Sequence, residues 1–275
     1  MSQLEASATK EQHSKILDNK VAVVTGSTSG IGLGIARRLA ANGCHIVLNG
    51  LADTAEVERV KTELADSSQR TIVYHGADMT KPQEIAELVE FAVKELGSVD
   101  ILVNNAGIQH TASVEDFPVE KWDAVLAINL SSAFHTMRAA LPHMKRNGFG
   151  RIVNIASVHG LVASAQKAAY VAAKHGLIGL TKVAALENAE TGITVNAVCP
   201  GWVRTPLVEK QITDLAQRKG ISQEIAAEEL LSAKQPSKRF VEVDELGDTV
   251  VFLASKAASN ITGSSITVDG GWTAQ

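Results

Sequence analysis

The sequence has few cysteines and no long apolar run. Cys44 and Cys199 are its two cysteines in 275 residues, and each lies in or beside an apolar stretch expected to be a buried strand. Two distant thiols in such settings favour reduced core residues in a reducing compartment over a disulfide. Because no stretch is long and apolar enough to span a bilayer, we expect a cytoplasmic protein without membrane contact.

The sequence also lacks a basic stripe and a metal-ligand motif. Its 26 Lys and Arg residues are interspersed with 30 Asp and Glu residues, which gives a formal net charge of -4. Binding to a phosphate backbone needs clustered positive charge, so we expect no nucleic-acid partner. No His, Asp and Glu cluster has metal-ligand spacing, and we predict no metal site, although the C-terminal carboxylate of Gln275 could approach a structural cation at a subunit interface.

The N-terminal residues 1–16 are polar and lack the apolar core of a secretory signal, so we expect a disordered extension there. With 45% hydrophobic residues and no Pro/Ser-rich linker, residues 17–275 are expected to form one domain with one large core.

What the chain does have is an alternation of short β-branched runs with longer amphipathic runs. Near-continuous apolar strands joined by helices predict a doubly wound parallel α/β sheet of the Rossmann type. Thr80–Gln83 resembles a capping box, with Pro82 in the first turn of its helix. We predict strands at 21–24, 45–48, 71–74, 101–103, 152–155, 193–198 and 265–268, and helices at 31–41, around 57–64, from 80 to 93, around 126–144, at 168–186 and at 242–254.

The stretch 205–239 interrupts this alternation, because it is polar, charged and helical in pattern. We interpret it as a helical substrate lid, with a plain surface insertion as the alternative.

Three glycines mark a nucleotide site between the first strand and the first helix. Gly26, Gly30 and Gly32 allow a tight turn and let a phosphate approach the backbone N–H groups at the helix N-terminus. Glycine-rich turns are common, but the position between a strand and an amphipathic helix favours a dinucleotide.

The end of the second strand bears on the choice of cofactor. An acidic residue there usually binds the ribose 2′-OH of NAD, but this chain has Gly50 at that place. No Lys or Arg stands at Ser29 or within residues 49–53 to neutralise the 2′-phosphate of NADP, so we predict NAD. Asp78 is either an acceptor for the adenine amine or a turn residue. Asn104–Gly107 end the fourth strand at the sheet edge where ligands bind in such folds.

Ser157, Tyr170 and Lys174 form a candidate proton-transfer set. Tyr170 and Lys174 are spaced i, i+4, so they project from one face of a helix toward the strand that ends before Ser157. A cationic lysine should lower the pKa of the phenol, and Ser157 can bind the same substrate oxygen. Asn129 is a polar residue in an apolar helical stretch, which indicates a helix kink or a water held for proton relay.

Polar residues gather around this set, at Gln109, His110, His159, Lys167 and Gln211. A buried lysine without a counter-charge is disfavoured, so Lys167 predicts an anionic substrate such as a small carboxylate. Solvated loop residues are the alternative for each of them.

Together these motifs resemble the classical short-chain dehydrogenase/reductase family from Val21 to the C-terminus. The resemblance rests on the glycine loop, Asn104–Gly107, Asn129, Ser157, Tyr170 with Lys174, and Pro200–Gly201. It implies a catalytic tetrad of Asn129, Ser157, Tyr170 and Lys174. The cofactor contacts expected from it are Gly26, Thr28, Gly30, Ile31, Gly32, Leu51, Asp78, Met79, Asn105, Ala106, Gly107, Tyr170, Lys174, Pro200, Gly201, Val203 and Thr205.

Within that family, residues 156–164, 199–211 and 269–275 resemble the soluble bacterial members that interconvert (R)-3-hydroxybutyrate and acetoacetate with NAD. The resemblance implies a homotetramer and a substrate 3-hydroxy or 3-keto carboxylate. It also implies that the carboxylate binds to Gln109, His159, Lys167 and Gln211, and that Trp202 and Trp272 enclose the pocket. A family member acting on a 3-ketoacyl thioester or a sugar, and a non-catalytic NAD-binding protein, remain the alternatives.

Overall fold

The computed structural model describes residues 15–275, and the expected N-terminal extension lies almost wholly outside them. Within this range the chain builds one sheet of seven parallel strands in the order β3-β2-β1-β4-β5-β6-β7. The predicted doubly wound parallel sheet is confirmed. The strands are β1 (Val21–Val24), β2 (His45–Asn49), β3 (Ile72–His75), β4 (Ile101–Asn104), β5 (Gly150–Ile155), β6 (Ile193–Pro200) and β7 (Ser265–Val268).

Helices cover both faces of the sheet, because every parallel connection must cross back over it. Every residue of β1, β4, β5 and β6 is buried, which explains why these strands are apolar almost throughout. The helices are α1 (Gly30–Ala41), α2 (Thr54–Ser68), α3 (Pro82–Leu96), α4 (Val119–Leu126), α5 (Ser132–Asn147), α6 (Ala168–Glu187), α7 (Pro206–Lys219), α8 (Gln223–Ser232) and α9 (Val243–Ala254).

The sheet divides the apolar interior into two main cores. On one face, α1, α2 and α9 pack on Val24, Ile46 and Val103. On the other face, α3, α5 and the end of α6 pack on Val23, Val47 and Leu102. Successive side chains of a strand therefore pack into opposite cores, because the pleat points them to opposite faces of the sheet.

The capping box predicted at Thr80–Gln83 is wrong. Lys81 occupies the N-cap position of α3 without a side-chain cap, whereas Pro82 is the first helical residue as expected. Thr80 instead donates its N–H and its hydroxyl to the carboxylate of Asp78, 2.8 Å away in both cases. Asp78 thus performs the turn role that was one of its two predicted uses.

The long helical stretch around 126–144 is interrupted by a wide π turn at Ala127–Ser131, which connects α4 to α5 and carries Asn129. The stretch 205–239 forms α7 and α8, whose apolar sides meet in a small core with Trp202 and Phe240. Its action as a lid stays a prediction.

Both cysteines are free and buried, as predicted. None of the helices formed by residues 15–275 is long and apolar enough to cross a membrane. In the same range, no group of three or more His, Cys, Asp and Glu side chains is arranged to hold a metal ion.

Candidate active site

The glycine loop after β1 forms a cradle at the N-terminus of α1. Gly26 and Gly30 have positive φ angles of 61° and 55°, a conformation that other residues rarely adopt. A Cβ on Gly32 would lie 2.2 Å from the carbonyl oxygen of Gly26, so the helix start packs directly on the loop. Ser29, at the N-cap, makes no side-chain cap, which leaves the first N–H groups of α1 for an anion.

The end of β2 explains why no acidic residue stands at position 50. A Cβ on Gly50 would lie 2.5 Å from the Thr28 hydroxyl oxygen, and the Tyr74 hydroxyl donates to the Gly50 carbonyl at 2.7 Å. Asn49, which sequence reasoning missed, is fully buried. Its amide nitrogen donates to the carbonyls of His75 and Ala77, and its Oδ1 accepts from the Gly26 N–H at 3.3 Å.

The segment after β4 is tied to the glycine loop. The Asn105 side chain donates to the carbonyls of Thr25 and Gly26 at 2.9 Å, and the Thr25 hydroxyl accepts from the N–H groups of Asn105 and Ala106 at 3.0 Å. Asn104 points the other way and donates to Asn154 inside the sheet at 2.8 Å. The two asparagines of the predicted Asn104–Gly107 motif therefore make structural hydrogen bonds to β5 and to the glycine loop. Residues 105–107 also line the cavity described next.

A cavity of about 570 Å³ lies at the carboxyl ends of β1, β4, β5 and β6. Except for Gly32, which lies beneath the loop, it is lined by every residue for which we predicted a cofactor or substrate contact. Ser157, Tyr170 and Lys174 also line it, whereas Asn129 does not. His110 does not line it either, and packs edge-on against Phe117 at a ring-centroid distance of 5.3 Å.

Ser157, Tyr170 and Lys174 meet on the cavity wall. The Lys174 ammonium donates to the Ile155 carbonyl at 2.7 Å and lies 5.6 Å from the centroid of the Tyr170 ring. Burial lowers the pKa of Lys174 to about 8. The expected lowering of the Tyr170 pKa is wrong: burial raises this pKa, and hydrogen bonding with Ser157 only opposes the increase. Loss of hydration disfavours the charged phenolate more than this hydrogen bond favours it.

Asn129 does not line the cavity but contacts Ile108, which does. Its Oδ1 accepts from the Ile108 N–H at 2.8 Å and its Nδ2 donates to the Ile108 carbonyl at 2.9 Å. The π turn places this buried side chain beside the segment after β4. The helix kink that the sequence indicated therefore positions Asn129 to hold the backbone at Ile108.

The predicted substrate residues occupy the part of the cavity beyond Tyr170. The Lys167 ammonium lies 5.2 Å from the centroid of the Trp202 ring, and burial lowers its pKa to about 8. Within the described part of the chain, no carboxylate lies within 4.0 Å of it. Trp202 and Trp272 form a tilted pair 5.7 Å apart, and His159 meets Trp272 edge-on at 5.4 Å.

Two residues that support this part of the site escaped sequence reasoning. The Ser164 hydroxyl lies 2.9 Å from His159 Nε2. Gln235, at the end of the α7–α8 segment, is 1% exposed, and its Oε1 accepts from the Trp202 N–H at 2.9 Å. Isolated serines and glutamines carry no spacing signal, so only the fold brings them to the site.

Comparisons with known proteins agree with this geometry. Residues 26–273 match the family model described as Enoyl-(Acyl carrier protein) reductase. The chain is 59% identical to the D-beta-hydroxybutyrate dehydrogenase of Cupriavidus necator over 94% of this chain and 100% of that protein. It is 56% identical to the enzyme of the same name from Rhizobium meliloti, over 93% of this chain and 99% of that protein.

Among solved structures, L-sorbose reductase from Gluconobacter frateurii, complexed with NADPH and L-sorbose, superposes with a TM-score of 0.91 at 30% identity, over 95% of this chain and 99% of that one. Levodione reductase gives a TM-score of 0.87 at 33% identity over 94% and 99% of the two chains. With its parallel sheet, glycine cradle and Ser157, Tyr170 and Lys174 on one cavity wall, the chain belongs to the short-chain dehydrogenase/reductase family.

Proposed function

We propose that this protein is an NAD-dependent dehydrogenase that interconverts (R)-3-hydroxybutyrate and acetoacetate. One observation carries the choice of substrate: Lys167 projects into the cavity beside the proton-transfer set without a carboxylate partner within the described chain. A desolvated ammonium of this kind is stabilised when an anion binds next to it. The names of the relatives from Cupriavidus necator and Rhizobium meliloti support the same substrate.

In this proposal Tyr170 is the general acid and base. When the alcohol is oxidised, the phenol oxygen takes the hydroxyl proton of the substrate, and it returns the proton in the reverse direction. Ser157 binds the same substrate oxygen through its hydroxyl. Lys174 holds its ammonium beside the phenol and would bind the nicotinamide ribose, while Asn129 fixes the backbone at Ile108.

The substrate carboxylate would bind to Lys167, and Gln109 and Gln211 line the same cavity. Burial, followed by the positive charges of Lys167 and Lys234, lowers the pKa of His159 to about 4. His159 is therefore neutral at neutral pH, and it can contribute a hydrogen bond but no charge. Trp202 and Trp272 limit the length of the chain that fits beyond C3.

The cradle fits a dinucleotide, since Gly32 has no room for a Cβ and the N-terminus of α1 is uncapped. NAD, when bound, would accept the hydride from C3. The choice of NAD over NADP rests on the absence of Lys and Arg at residues 29 and 49–53. Leu51, 78% exposed at the cavity rim, offers no charge to a 2′-phosphate.

The deciding experiment follows NADH absorbance with (R)- and (S)-3-hydroxybutyrate separately, and repeats the (R) assay with NADP. We expect turnover with the (R) enantiomer and NAD, and little with the other combinations. Preference for a 3-ketoacyl thioester or a sugar with NADPH would instead identify one of the alternative reductases. Binding of NADH without turnover of any of these substrates would indicate a non-catalytic NAD-binding protein.

We also propose a cytoplasmic homotetramer that is assembled through the long helices α5 and α6 and the C-terminal segment. Phe134, Val183 and Leu186 are exposed apolar side chains on these helices, which agrees with burial against another copy. Light scattering after size-exclusion chromatography should give about four times the 29.1 kDa mass of one chain. A monomeric mass would reject this arrangement.

A further inference from the structure

Two successive residues at the start of α6 depart from the usual backbone preferences. Gln166, just before the helix, has a φ angle of 64°, in the left-handed region that residues other than glycine rarely adopt. Lys167 occupies the N-cap position and makes no side-chain cap, although this position favours short polar side chains that bind the first N–H groups of a helix. Both departures cost stability, and the side chain of Lys167 lines the cavity instead.

The left-handed conformation has a local cause elsewhere in the chain but not at Gln166. Gln69, with a φ angle of 60°, is the C-cap of α2, where a left-handed residue commonly ends a helix and where its N–H binds the Ala65 carbonyl. Gln166 instead precedes the start of a helix, so this C-terminal hydrogen-bond pattern does not apply to it. Its side chain is exposed, so packing of that side chain does not explain the conformation either.

A contact with the segment after β4 supplies the cause. The Gln166 carbonyl accepts from the Ala112 N–H at 3.1 Å, and Ala112 and Lys167 form an isolated parallel bridge. On the helix side, the Lys167 carbonyl accepts from the Val171 N–H at 2.9 Å. The backbone of Lys167 is thus held from both sides, and a rotation of Gln166 to negative φ would turn its carbonyl away from Ala112. Since the segment with Ala112 also carries Gln109, the bridge fixes the spacing between two residues of the proposed carboxylate site.

We infer that Gln166 is a positioning residue: its left-handed turn, bound to Ala112, directs the Lys167 side chain into the cavity toward the substrate carboxylate. Gln166 acts through its backbone alone and does not contact the substrate, and the identity of the bound anion rests on the proposed function.

The test is Gln166→Val, with Gln166→Gly and Gln69→Val as controls. A β-branched residue is strongly disfavoured at positive φ, whereas glycine adopts this conformation without penalty. In Gln166→Val we expect the KM for (R)-3-hydroxybutyrate to rise roughly tenfold, the effect of a weakened hydrogen bond to a charged group. The kcat and the KM for NAD should stay within about twofold, since α6 continues to hold Tyr170. All three constants should stay within about twofold in Gln166→Gly.

Gln69→Val places the same strain at the amino edge of the sheet, three residues before β3 begins. It should lower the melting temperature about as much as Gln166→Val does and leave the KM for hydroxybutyrate unchanged. An equal rise of this KM in Gln69→Val would assign the effect to general destabilisation, and an equal rise in Gln166→Gly would assign it to the lost glutamine side chain. Either result would contradict the inference.

Hydrogen exchange, measured without substrate, reports on the turn directly. The Ala112 amide should be protected in the unchanged protein and in Gln166→Gly, and it should exchange at least about tenfold faster in Gln166→Val. Unchanged protection in Gln166→Val, or faster exchange with an unchanged KM for hydroxybutyrate, overturns the inference. Failure of the unchanged protein to oxidise hydroxybutyrate would reject the proposed function separately, and the exchange at Ala112 would still decide whether the turn holds Lys167.

Discussion

Tyr170 and Lys174 are both driven toward their neutral forms by burial. The pKa of the phenol is raised and that of the ammonium is lowered to about 8, because the interior penalises either charge. Burial therefore keeps the proton on Tyr170 at neutral pH, and this is the form that its proposed role as the acid in ketone reduction requires.

Replacement of Tyr170 by Phe removes the proton but keeps the ring. We expect turnover to fall by about 10²–10⁴-fold or more, the usual contribution of a general acid and base, while NADH binding measured by fluorescence titration persists. Tyr74→Phe is the matched control, since Tyr74 is the other tyrosine of the chain and its hydroxyl binds the Gly50 carbonyl instead. Retained turnover in Tyr170→Phe would reject Tyr170 as the acid and base.

Lys167 predicts a pH dependence of substrate affinity. Its pKa is lowered from 10.5 to about 8, so its charge is present below pH 8 and is lost as the pH rises through and above this value. The KM for hydroxybutyrate should therefore increase in alkaline solution, while the KM for NAD changes little.

Two variants of Lys167 separate charge from structure. Lys167→Arg keeps a cation at all these pH values and should flatten the pH profile of the hydroxybutyrate KM. Lys167→Ala should raise that KM at every pH, with little effect on NAD. An unchanged KM in Lys167→Ala would rule out a carboxylate-binding role.

At the scale of elements, close helix packing holds the cofactor side of the sheet together. Helices α1 and α9 approach each other at Gly34, where a Cβ would lie 1.9 Å from a methyl carbon of Val243. Gly247 on α9 similarly leaves room for the Arg38 side chain of α1. Since α1 also presents its N-terminus to the nucleotide site, this contact fixes the angle of the helix that would bind the phosphates.

Gly34→Ala should therefore destabilise the protein by about 1–3 kcal/mol, the usual penalty for overpacking, although alanine is the better helix former. Thermal unfolding measures the effect. Adding Val243→Ala to this variant removes the obstructing methyl group, and the double variant should be more stable than additivity of the two single changes predicts. Strict additivity would show that the two helices do not meet in this way.

At the scale of the whole molecule, the segment after α8 connects two distant parts of the chain, around Trp202 and around Gly270. Gln235 accepts from the Trp202 N–H, Ser237 donates its N–H to the Gly270 carbonyl at 3.0 Å, and the Val241 N–H donates to the Trp202 carbonyl at 2.8 Å. The indole walls formed by Trp202 and Trp272 are thus held by the same segment that ends the proposed lid.

Gln235→Leu should disturb this arrangement, because it leaves the partly buried backbone N–H of Trp202 without an acceptor, at a cost of about 1–3 kcal/mol. We expect a lower melting temperature, altered tryptophan fluorescence and a raised KM for hydroxybutyrate. Gln217→Leu, on the exposed side of α7, is the control and should change none of these. A normal KM in a folded Gln235→Leu variant would show that the segment does not shape the substrate pocket.

Much of the site could be predicted from the sequence because its residues occur at fixed spacings. The glycines after β1, and Tyr170 with Lys174 one helical turn apart, retain their relative positions in any chain that folds as strand and helix. The capping box at Thr80 was wrong because Asp78, two residues earlier, competes for the same hydroxyl. Local pattern does not determine which of two nearby acceptors a side chain will choose.

By itself, the sequence determined the doubly wound parallel sheet, the reduced cysteines and the location of the glycine cradle. These properties follow from the spacing of apolar residues and from local backbone conformation, both of which depend on residues close together in the sequence. The tertiary structure decided the high pKa of Tyr170, the steric reason for Gly50 and the roles of Asn49, Ser164 and Gln235. Such properties depend on burial and on contacts between residues far apart in the chain, which exist only once the sheet and its helices have packed.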